Sequence, residues 1–412
     1  MRSIRLLLGS VLLGGALVVT GATASTSAPP GSGASALAGS LTQVSSFGSN
    51  PGNLTMFEYV PAGLPAGAPM VVAMHGCTQS AQAYHAGSGW SELADEYGFA
   101  VVYPQTSSAN NANSCFNFFQ SGDTTRGQGE VASLAQMVEH ARSSHDLGSD
   151  NTYVTGLSAG GGMTSAVLAT YPDLFAGGSV VAGLPYHCAT SMVDAFGCMN
   201  NPPDKTPAKW GDLARQGFPG YSGPRPKVAI WHGTADSTVV PANATELVDQ
   251  FTDVAGVSTT PTGTTSLPAG TTRTSYGNGA VVRYSVQGMG HGTPVDPGSG
   301  PEQCGQSGAY MLDTICSARH DAAFFGLSEP VDPTDPPTDP TDPPTDPTDP
   351  PTDPEPGACI TASNYAHTTA GRAHQSGGMT YATGSEDALG LWNVFVTTEL
   401  EETSPGYWEL GC

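Results

Sequence analysis

The chain has 412 residues and a formal net charge of −23, with 13 Lys and Arg against 36 Asp and Glu. Nucleic acids and anionic membrane surfaces attract basic proteins, so this charge argues against both as partners. Charged residues make up only 12% of the chain, whereas Gly (53) and Pro (34) are frequent. So sparsely charged a surface fits a secreted protein better than a cytosolic one, and the length predicts two or three domains.

The N-terminus has the pattern of an export signal. Arg2 and Arg5 precede an apolar run from Leu6 to Val19, and a small-residue cleavage pattern, Ala-Thr-Ala, follows at 22–24. We therefore predict a signal peptide over residues 1–24 and an extracellular protein. A retained membrane anchor is the alternative, although the run is short for a spanning helix.

The eight cysteines are an even number, as expected for disulfides formed in an oxidising compartment. Pairing by proximity along the chain gives Cys188–Cys198, Cys304–Cys316 and Cys359–Cys412, and leaves Cys77–Cys115. Metal binding is the competing use of cysteine. The sequence has no CxxC or HxxxH cluster, and we predict no metal site.

A proline-rich repeat marks the main domain boundary. Residues 330–356 read PVDPTDPPTDPTDPPTDPTDPPTDPEP, and nine of the 36 acidic residues lie between 329 and 355. Proline favours extended geometry and like charges repel, so we predict a linker over 329–357 that could span up to about 80 Å. A ligand for proline-recognising domains is the alternative. The linker would separate a large domain (25–328) from a tail (358–412).

The large domain alternates predicted strands and helices. Apolar runs predict buried strands at 70–74, 100–103, 152–154, 228–231 and 281–286, and helical patterns cover 91–97, 129–142, 163–170 and 244–254. This alternation predicts a doubly wound α/β sheet. In such sheets ligands bind beyond the carboxyl ends of the strands, so the residues that follow each strand are the candidates for function.

Ser158 is the candidate nucleophile. Gly156-Leu157-Ser158-Ala159-Gly160 follows the predicted strand 152–154 and precedes a helix predicted to open at Gly161. A G-x-S-x-G sequence between a strand and a helix is typical of a nucleophile elbow. A glycine-rich turn with a capping serine is the alternative.

Asp236 and His291 are the candidate partners of Ser158. Asp236 follows the predicted strand 228–231, and His291 lies in a glycine-rich loop after the predicted strand 281–286. A serine hydroxyl needs a base, and hydrolases with this elbow place the acid and then the histidine after the serine. We therefore predict a Ser-Asp-His triad.

Three other residues compete for these roles. His232 is the rival imidazole, but it precedes the acid in the chain. Asp249 and Asp253 are rival acids on a predicted helix, where we expect them to face solvent.

The predicted oxyanion hole uses two backbone N–H groups. One belongs to Ala159, directly after the nucleophile, and the other to Cys77, in the loop after the first predicted strand. A disulfide from Cys77 to Cys115 would hold that loop rigid. Cys77 could also be a purely structural half-cystine.

Four motifs together resemble extracellular short-chain-length polyhydroxyalkanoate depolymerases, whose wider esterase family includes feruloyl and acetylxylan esterases. They are HGCTQ at 75–79, GLSAGG at 156–161, WHGTAD at 231–236 and GMGHG at 288–292. The resemblance implies an α/β-hydrolase fold, the same triad, and no metal or organic cofactor. Around Cys115 the plant-polysaccharide members would be expected to carry tryptophans, whereas this chain has Phe-Asn-Phe-Phe at 116–119, which weakens the feruloyl interpretation.

The tail contains TASNYAH at 361–367, AGRA at 370–373, TTEL at 397–400 and SPGY at 404–407. With these segments it resembles the substrate-binding domain of polyhydroxybutyrate depolymerases, and similar modules accompany some chitinases. A domain of so few residues needs a covalent cross-link to be stable, and a Cys359–Cys412 disulfide would supply it. Aromatic faces adsorb to apolar polymers, and the candidate contacts are Tyr365, Trp392, Tyr407 and Trp408. The alternative is that these rings fill the core of the tail.

The favoured hypothesis is a secreted, monomeric serine esterase that hydrolyses poly(3-hydroxybutyrate)-type polyesters at an insoluble polymer surface. One alternative is a feruloyl or acetylxylan-type carbohydrate esterase with a polymer-binding module. Another is a surface-binding adhesin with an idle hydrolase domain. Chain-length preference and product size are not predicted by the sequence.

Overall fold

The structure is a computed structural model, and it describes residues 39–328, 359–376, 379–391, 396–404 and 406–411. The predicted signal peptide, the whole of the predicted linker (329–357), Trp392 and Cys412 lie outside these ranges. The chain divides into two compact units between Pro337 and Thr338, which is inside that linker.

Ten strands form the sheet of the first unit: β1 (Thr42–Val44), β2 (Thr55–Tyr59), β3 (Met70–Met74), β4 (Ala100–Gln105), β5 (Thr152–Leu157), β6 (Gly177–Val181), β7 (Lys227–Gly233), β8 (Gly263–Leu267), β9 (Thr271–Tyr276) and β10 (Val281–Val286). Their order is β1-β2-β4-β3-β5-β6-β7-β10-β9-β8. The stretch from β4 to β10 is parallel, and both edges are antiparallel. All five strands predicted from apolar runs lie in the parallel part, which confirms the predicted α/β class.

The helices of the first unit are α1 (Ala81–Gly87), α2 (Trp90–Tyr97), α3 (Ser121–Thr124), α4 (Gly129–His145), α5 (Ala159–Thr170), α6 (Met192–Asn200), α7 (Pro207–Arg215), α8 (Ala242–Val254) and α9 (Ser317–Phe325). A 3₁₀ turn (Gly277–Gly279) and a two-stranded sheet of β11 (Thr293–Val295) and β12 (Met311–Asp313) complete the unit.

Two hydrophobic cores lie on opposite faces of the large sheet. Side chains alternate between the two faces of a strand, and β3 shows this directly: Met70, Val72 and Met74 belong to one core, and Val71 and Ala73 to the other. Helices α4, α5 and α8 contribute to the first core and α1, α2 and α9 to the second. The sheet is therefore covered on both faces, and its carboxyl-terminal edge is left for the site.

The second unit contains β13 (Cys359–Ser363), α10 (Asn364–Thr369), β14 (Ala373–Ser376), β15 (Met379–Ala382), β16 (Ala388–Leu391), β17 (Thr397–Ser404) and β18 (Tyr407–Leu410). Two three-stranded sheets have the orders β13-β17-β18 and β14-β15-β16. A small core forms from Ala373, Ala382, Leu389, Leu400 and Trp408, with Ile360 packed against it.

The predicted aromatic contacts of the tail have different surroundings. Trp408 is only 6% exposed and belongs to this core, so the prediction that its ring contacts polymer is corrected to a role in packing. Tyr407 is 40% exposed. The Tyr365 side chain and Trp392 lie outside the described part of the chain.

Three predicted disulfides cross-link the first unit. Cys188–Cys198 and Cys304–Cys316 were predicted from proximity, and Cys77–Cys115 was the pair that remained. The fourth predicted pair, Cys359–Cys412, lies outside the described residues. None of the described helices has the length and apolar character needed to cross a bilayer.

Candidate active site

Ser158 forms a sharp turn between β5 and α5. Its backbone has φ 57° and ψ −114°, a conformation that costs a non-glycine residue about 1–3 kcal/mol. The turn closes because its neighbours are small: a Cβ on Gly156 would lie 2.5 Å from the Gly160 backbone, and one on Gly160 would lie 2.6 Å from His75 O. The helix begins at Ala159, two residues before the predicted start.

Two backbone hydrogen bonds hold the strained serine. Its N–H donates to Val181 O on β6 at 2.9 Å, and its carbonyl accepts from Gly162 N at 2.8 Å. Ser158 is 9% exposed. The sequence therefore builds a fixed elbow that presents one hydroxyl at the carboxyl end of β5, as the motif predicted.

Asp236 lies just beyond β7 with a fully buried side chain. Its Oδ1 accepts the N–H groups of Thr238 and Val239, both at 2.9 Å, and its Oδ2 lies 2.7 Å from His291 Nδ1. Burial alone would raise the pKa of Asp236, but the hydrogen bond and positive charge of His291 and the two backbone donors outweigh it and lower that pKa. Asp236 is therefore a carboxylate.

The carboxylate fixes the orientation of His291. An ionised carboxylate only accepts hydrogen bonds, so Nδ1 carries the proton and the Nε2 lone pair is left free. The His291 side chain is 10% exposed. A base with this tautomer and this access is what a serine nucleophile requires.

Ser158 and His291 line the same cavity of about 390 Å³. Its remaining lining is Gly76, Cys77, Thr78, Gln79, Asn111, Asn113, Cys115, Phe118, Phe119, Leu157, Met192, Ala195, Phe196, Met199, Thr238 and Tyr310. None of these described residues is Asp, Glu, Lys or Arg. Within residues 39–328 no hydrogen bond joins the Ser158 hydroxyl to His291, a contact that in many enzymes tightens only when substrate binds.

The rival residues do not reach this cavity. His232 is 1% exposed, lies 2.8 Å from Val239 O through Nε2, and is 3.5 Å from Asp236 Oδ2. Its burial lowers its pKa, so it is a neutral ring behind the acid. Asp253 pairs with Arg215 at 2.7 Å, and neither it nor Asp249 lines the cavity.

The two backbone N–H groups predicted to bind the oxyanion are free to donate a hydrogen bond to substrate. In the described first unit, neither Cys77 N nor Ala159 N donates to a protein acceptor, and Ala159 is the first residue of α5, where N–H groups have no helical partner. The Cys77 loop is held by the disulfide to Cys115, and by a 2.8 Å bond from Thr78 N to Asn113 O. The loop is thus fixed beside the elbow.

Sequence reasoning assigned no role to two parts of the site. His75, in front of the Cys77 loop, is fully buried, with Nδ1 2.7 Å from Gly76 O, and burial lowers its pKa to about 4. Helix α6 supplies Met192, Phe196 and other side chains to the cavity wall. In the sequence, the apolar stretch between Cys188 and Cys198 was the feature that could have indicated that α6 lines the cavity.

Comparison with known proteins places this site in a family. A family model described as Esterase PHB depolymerase matches residues 54–276. The chain belongs to that family. This confirms the resemblance seen in the motifs, and this esterase is therefore a carboxylic ester hydrolase.

Similar proteins support the assignment. Poly(3-hydroxyalkanoate) depolymerase C of Paucimonas lemoignei is 55% identical over 291 residues, covering 70% of each chain. An acetylxylan esterase of Coprinopsis cinerea is 39% identical over 62% of this chain and 70% of its own. A solved structure, acetyl xylan esterase from Aspergillus awamori, has a TM-score of 0.61 and 30% identity, covering 70% of this esterase and 100% of that chain.

The described residues contain no group of three or more His, Cys, Asp or Glu side chains placed to hold a metal ion.

Proposed function

We propose that this esterase is an extracellular depolymerase of poly(3-hydroxybutyrate)-type polyesters, with Ser158, Asp236 and His291 as its catalytic triad. The observation that carries the proposal is the 2.7 Å hydrogen bond that His291 Nδ1 donates to Asp236 Oδ2, with His291 lining the same cavity as the strained Ser158. The 55% identity to a poly(3-hydroxyalkanoate) depolymerase supports the substrate class.

The mechanism follows from these positions. His291 Nε2 takes the Ser158 hydroxyl proton as Oγ bonds to the ester carbonyl carbon, and the carbonyl electron pair moves to oxygen. The N–H groups of Cys77 and Ala159 stabilise that oxyanion, an effect worth about 3–4 kcal/mol per donor. The ester C–O bond then breaks, and the departing hydroxyl end takes the proton from His291.

Water completes the cycle through the same base. His291 removes a proton from water as its oxygen attacks the acyl carbon, and Ser158 leaves with that proton. Asp236 stays ionised throughout and stabilises the imidazolium form of His291.

The cavity lining suits a polyester chain. The described lining has no Asp, Glu, Lys or Arg, and it includes the apolar side chains of Phe118, Phe119, Met192 and Phe196. A 3-hydroxyacyl chain presents methyl groups and esters, which such a surface accommodates without a charge being desolvated. A carbohydrate esterase is the second candidate, because the two acetylxylan esterases compared above are 39% and 30% identical to this chain.

We propose that the tail and linker hold the enzyme on solid polymer. The tail exposes Leu391 (60%), Tyr407 (40%) and Leu410 (50%), and the linker resembles a stiff spacer. Tethering raises the local concentration of catalytic unit at the surface without new contacts in the cavity. The signal-like N-terminus supports export of the whole chain.

Clearing of a turbid poly(3-hydroxybutyrate) suspension tests the function directly. Wild type should clear the suspension and release 3-hydroxybutyrate, whereas Ser158→Ala should sediment with the granules and release none. Deletion of residues 329–412 should spare p-nitrophenyl butyrate hydrolysis and slow clearing. A wild type that leaves the suspension turbid but releases acetate or ferulate from plant polysaccharide would refute the polyester assignment.

A further inference from the structure

The exposed apolar side chains of the first unit are concentrated beside the cavity. Among residues 39–328, the large hydrophobic side chains that are exposed are Met192 (49%), Val193 (81%), Phe196 (57%) and Tyr310 (44%). Met192, Phe196 and Tyr310 line the cavity, and Val193 adjoins Met192 on α6. We call these four residues the apolar rim. Contiguous exposed apolar surface marks an interaction site more often than chance exposure does.

The rim belongs to an ordered helix. Ser191 caps α6, with its hydroxyl accepting the Asp194 N–H at 3.2 Å. Residues Ala195 and Cys198 face inward and are buried, so the opposite face, with Met192, Val193 and Phe196, is turned to solvent. The exposed apolar face is therefore a consequence of how the helix is anchored and not of a frayed end.

The C-terminal end of α6 is tied to the loop that follows the acid. Cys198 is joined to Cys188, and Asn243 Nδ2 donates to Cys198 O at 3.0 Å. Val240 N donates to Met199 O at 2.8 Å, and Val240 lies four residues after Asp236. These bonds hold α6, and with it Met192, Val193 and Phe196 of the rim, in a fixed position relative to Asp236.

We propose that the apolar rim is a docking surface of the catalytic unit for solid polyester, separate from the tail and needed to feed chain segments to Ser158. This inference rests on the proposed function. A cavity of about 390 Å³ holds only a short stretch of polymer, and Ser158 is 9% exposed, so the flanking chain must lie on whatever borders the opening.

The chemistry of the rim fits an uncharged aliphatic polyester. Helix α6 carries no Lys or Arg, and its one acid, Asp194, is engaged by the Ser191 hydroxyl at 2.8 Å. Apolar surface is continuous from the rim into the cavity through Met192 and Phe196. Burying such surface against polymer requires no charge to be desolvated.

Val193→Asp in the full-length enzyme tests the proposal, with Val193→Leu as the matched control. Val193 lies outside the cavity lining, and an acid in the first turn suits a helix N-terminus, so α6 should remain folded. We expect Val193→Asp to clear a poly(3-hydroxybutyrate) suspension about tenfold more slowly. Its kcat/KM on p-nitrophenyl butyrate and its sedimentation with granules should match wild type, since the tail still adsorbs. Val193→Leu should clear at the wild-type rate.

The outcomes separate this proposal from the proposed function. If the wild-type enzyme does not clear the suspension, the proposed polyester function itself is refuted. With wild type active, equal clearing by Val193→Asp and wild type overturns the docking surface. A parallel loss on both substrates also overturns it, because Val193 would then act through the cavity. A wild-type dimer that Val193→Asp converts to monomers, seen by light scattering, would reassign the rim to a subunit interface.

Discussion

Replacing Asp236 by Asn changes one atom of the candidate triad and leaves its volume unchanged. In the native site Oδ1 is held by two backbone N–H groups at 2.9 Å, from Thr238 and Val239. The asparagine oxygen will keep those two bonds, because the alternative orientation would set its NH₂ group against two donors. Its Nδ2 hydrogens will then point at His291 Nδ1, where the carboxylate oxygen lies at 2.7 Å in the native site.

The consequence is a change of tautomer in His291. Facing a donor, Nδ1 must become an acceptor, so the ring proton moves to Nε2 and the ring can no longer take the Ser158 proton. The same substitution in a serine protease lowers kcat about 10⁴-fold, which corresponds to about 5.5 kcal/mol of transition-state stabilisation. We expect a loss of that order here, with little change in KM for a small ester.

The assay is kcat and KM on p-nitrophenyl butyrate, with a circular dichroism melt to check the fold. Asp249→Asn is the matched control, since Asp249 is the competing acid from the sequence and lies outside the cavity lining. It should keep wild-type activity. An Asp236→Asn enzyme that is folded and within tenfold of wild type would show that Asp236 does not orient the base, and the triad assignment would fail.

Two further predictions concern stability. Replacing Cys77 and Cys115 by Ser opens a 38-residue loop, which should lower the free energy of unfolding in urea by about 4 kcal/mol and also lower kcat by loosening the Cys77 loop. The Cys304–Cys316 disulfide closes a loop of 12 residues and serves as the comparison for stability, where its loss should cost about 3 kcal/mol. A Cys77/Cys115 variant that loses less unfolding free energy than the Cys304/Cys316 variant, or that keeps wild-type kcat, would contradict this. Burial raises the pKa of Glu130 from 4.5 to about 8, so the folded chain keeps a proton that the unfolded chain releases, and stability is lost as pH rises between those values. Above pH 8, Glu130→Gln should therefore have a higher Tm than wild type, by about 2–4 °C for each kcal/mol gained in the free energy of unfolding. This difference in Tm should vanish near pH 4.5.

The positions of the candidate triad could be predicted because they depend on chain order and strand ends. Parallel strands present their carboxyl ends at one edge of the sheet, so residues that directly follow β5, β7 and β10 must meet there. Ser158 and Asp236 each come within three residues of such an end, and His291 within five. Chain order alone already favoured His291 over His232, and only the hydrogen bond between His291 and Asp236 required coordinates.

Strand β6 was not predicted because its sequence lacks an apolar run. It reads Gly-Gly-Ser-Val-Val at 177–181. A Cβ on Gly178 would lie 2.8 Å from Leu168 Cδ1 on α5 and 3.0 Å from Val154 O on β5, so close packing of helix and strand favours glycine there. A tertiary contact thus favours the residue type, and a pattern of apolar runs does not reveal it.

Adjacent aromatic residues in the tail show the same limit. Tyr407 and Trp408 are neighbours in β18, and neighbouring side chains of a strand point to opposite faces. Both rings were predicted as candidate polymer contacts, and the alternation of the strand means that only one of the two can face solvent when the other is buried. The core built from Leu389 and Leu400 selects Trp408, because that core lies on the face to which its side chain points.

Helix α6 is the case where pattern and structure disagree most, and the disagreement itself carries information. Its sequence, Met-Val-Asp-Ala-Phe-Gly-Cys-Met-Asn, is apolar on most sides and would ordinarily be buried. The anchors at Cys198 and Met199 instead hold it at the cavity mouth with three large apolar side chains in solvent. Met192 and Phe196 are about half exposed and Val193 is 81% exposed, so these side chains gain little packing energy for the solubility that they cost, and the proposed docking role would explain them. Val193 separates this explanation from any role inside the cavity, because it is the most exposed of the three and does not line the cavity wall.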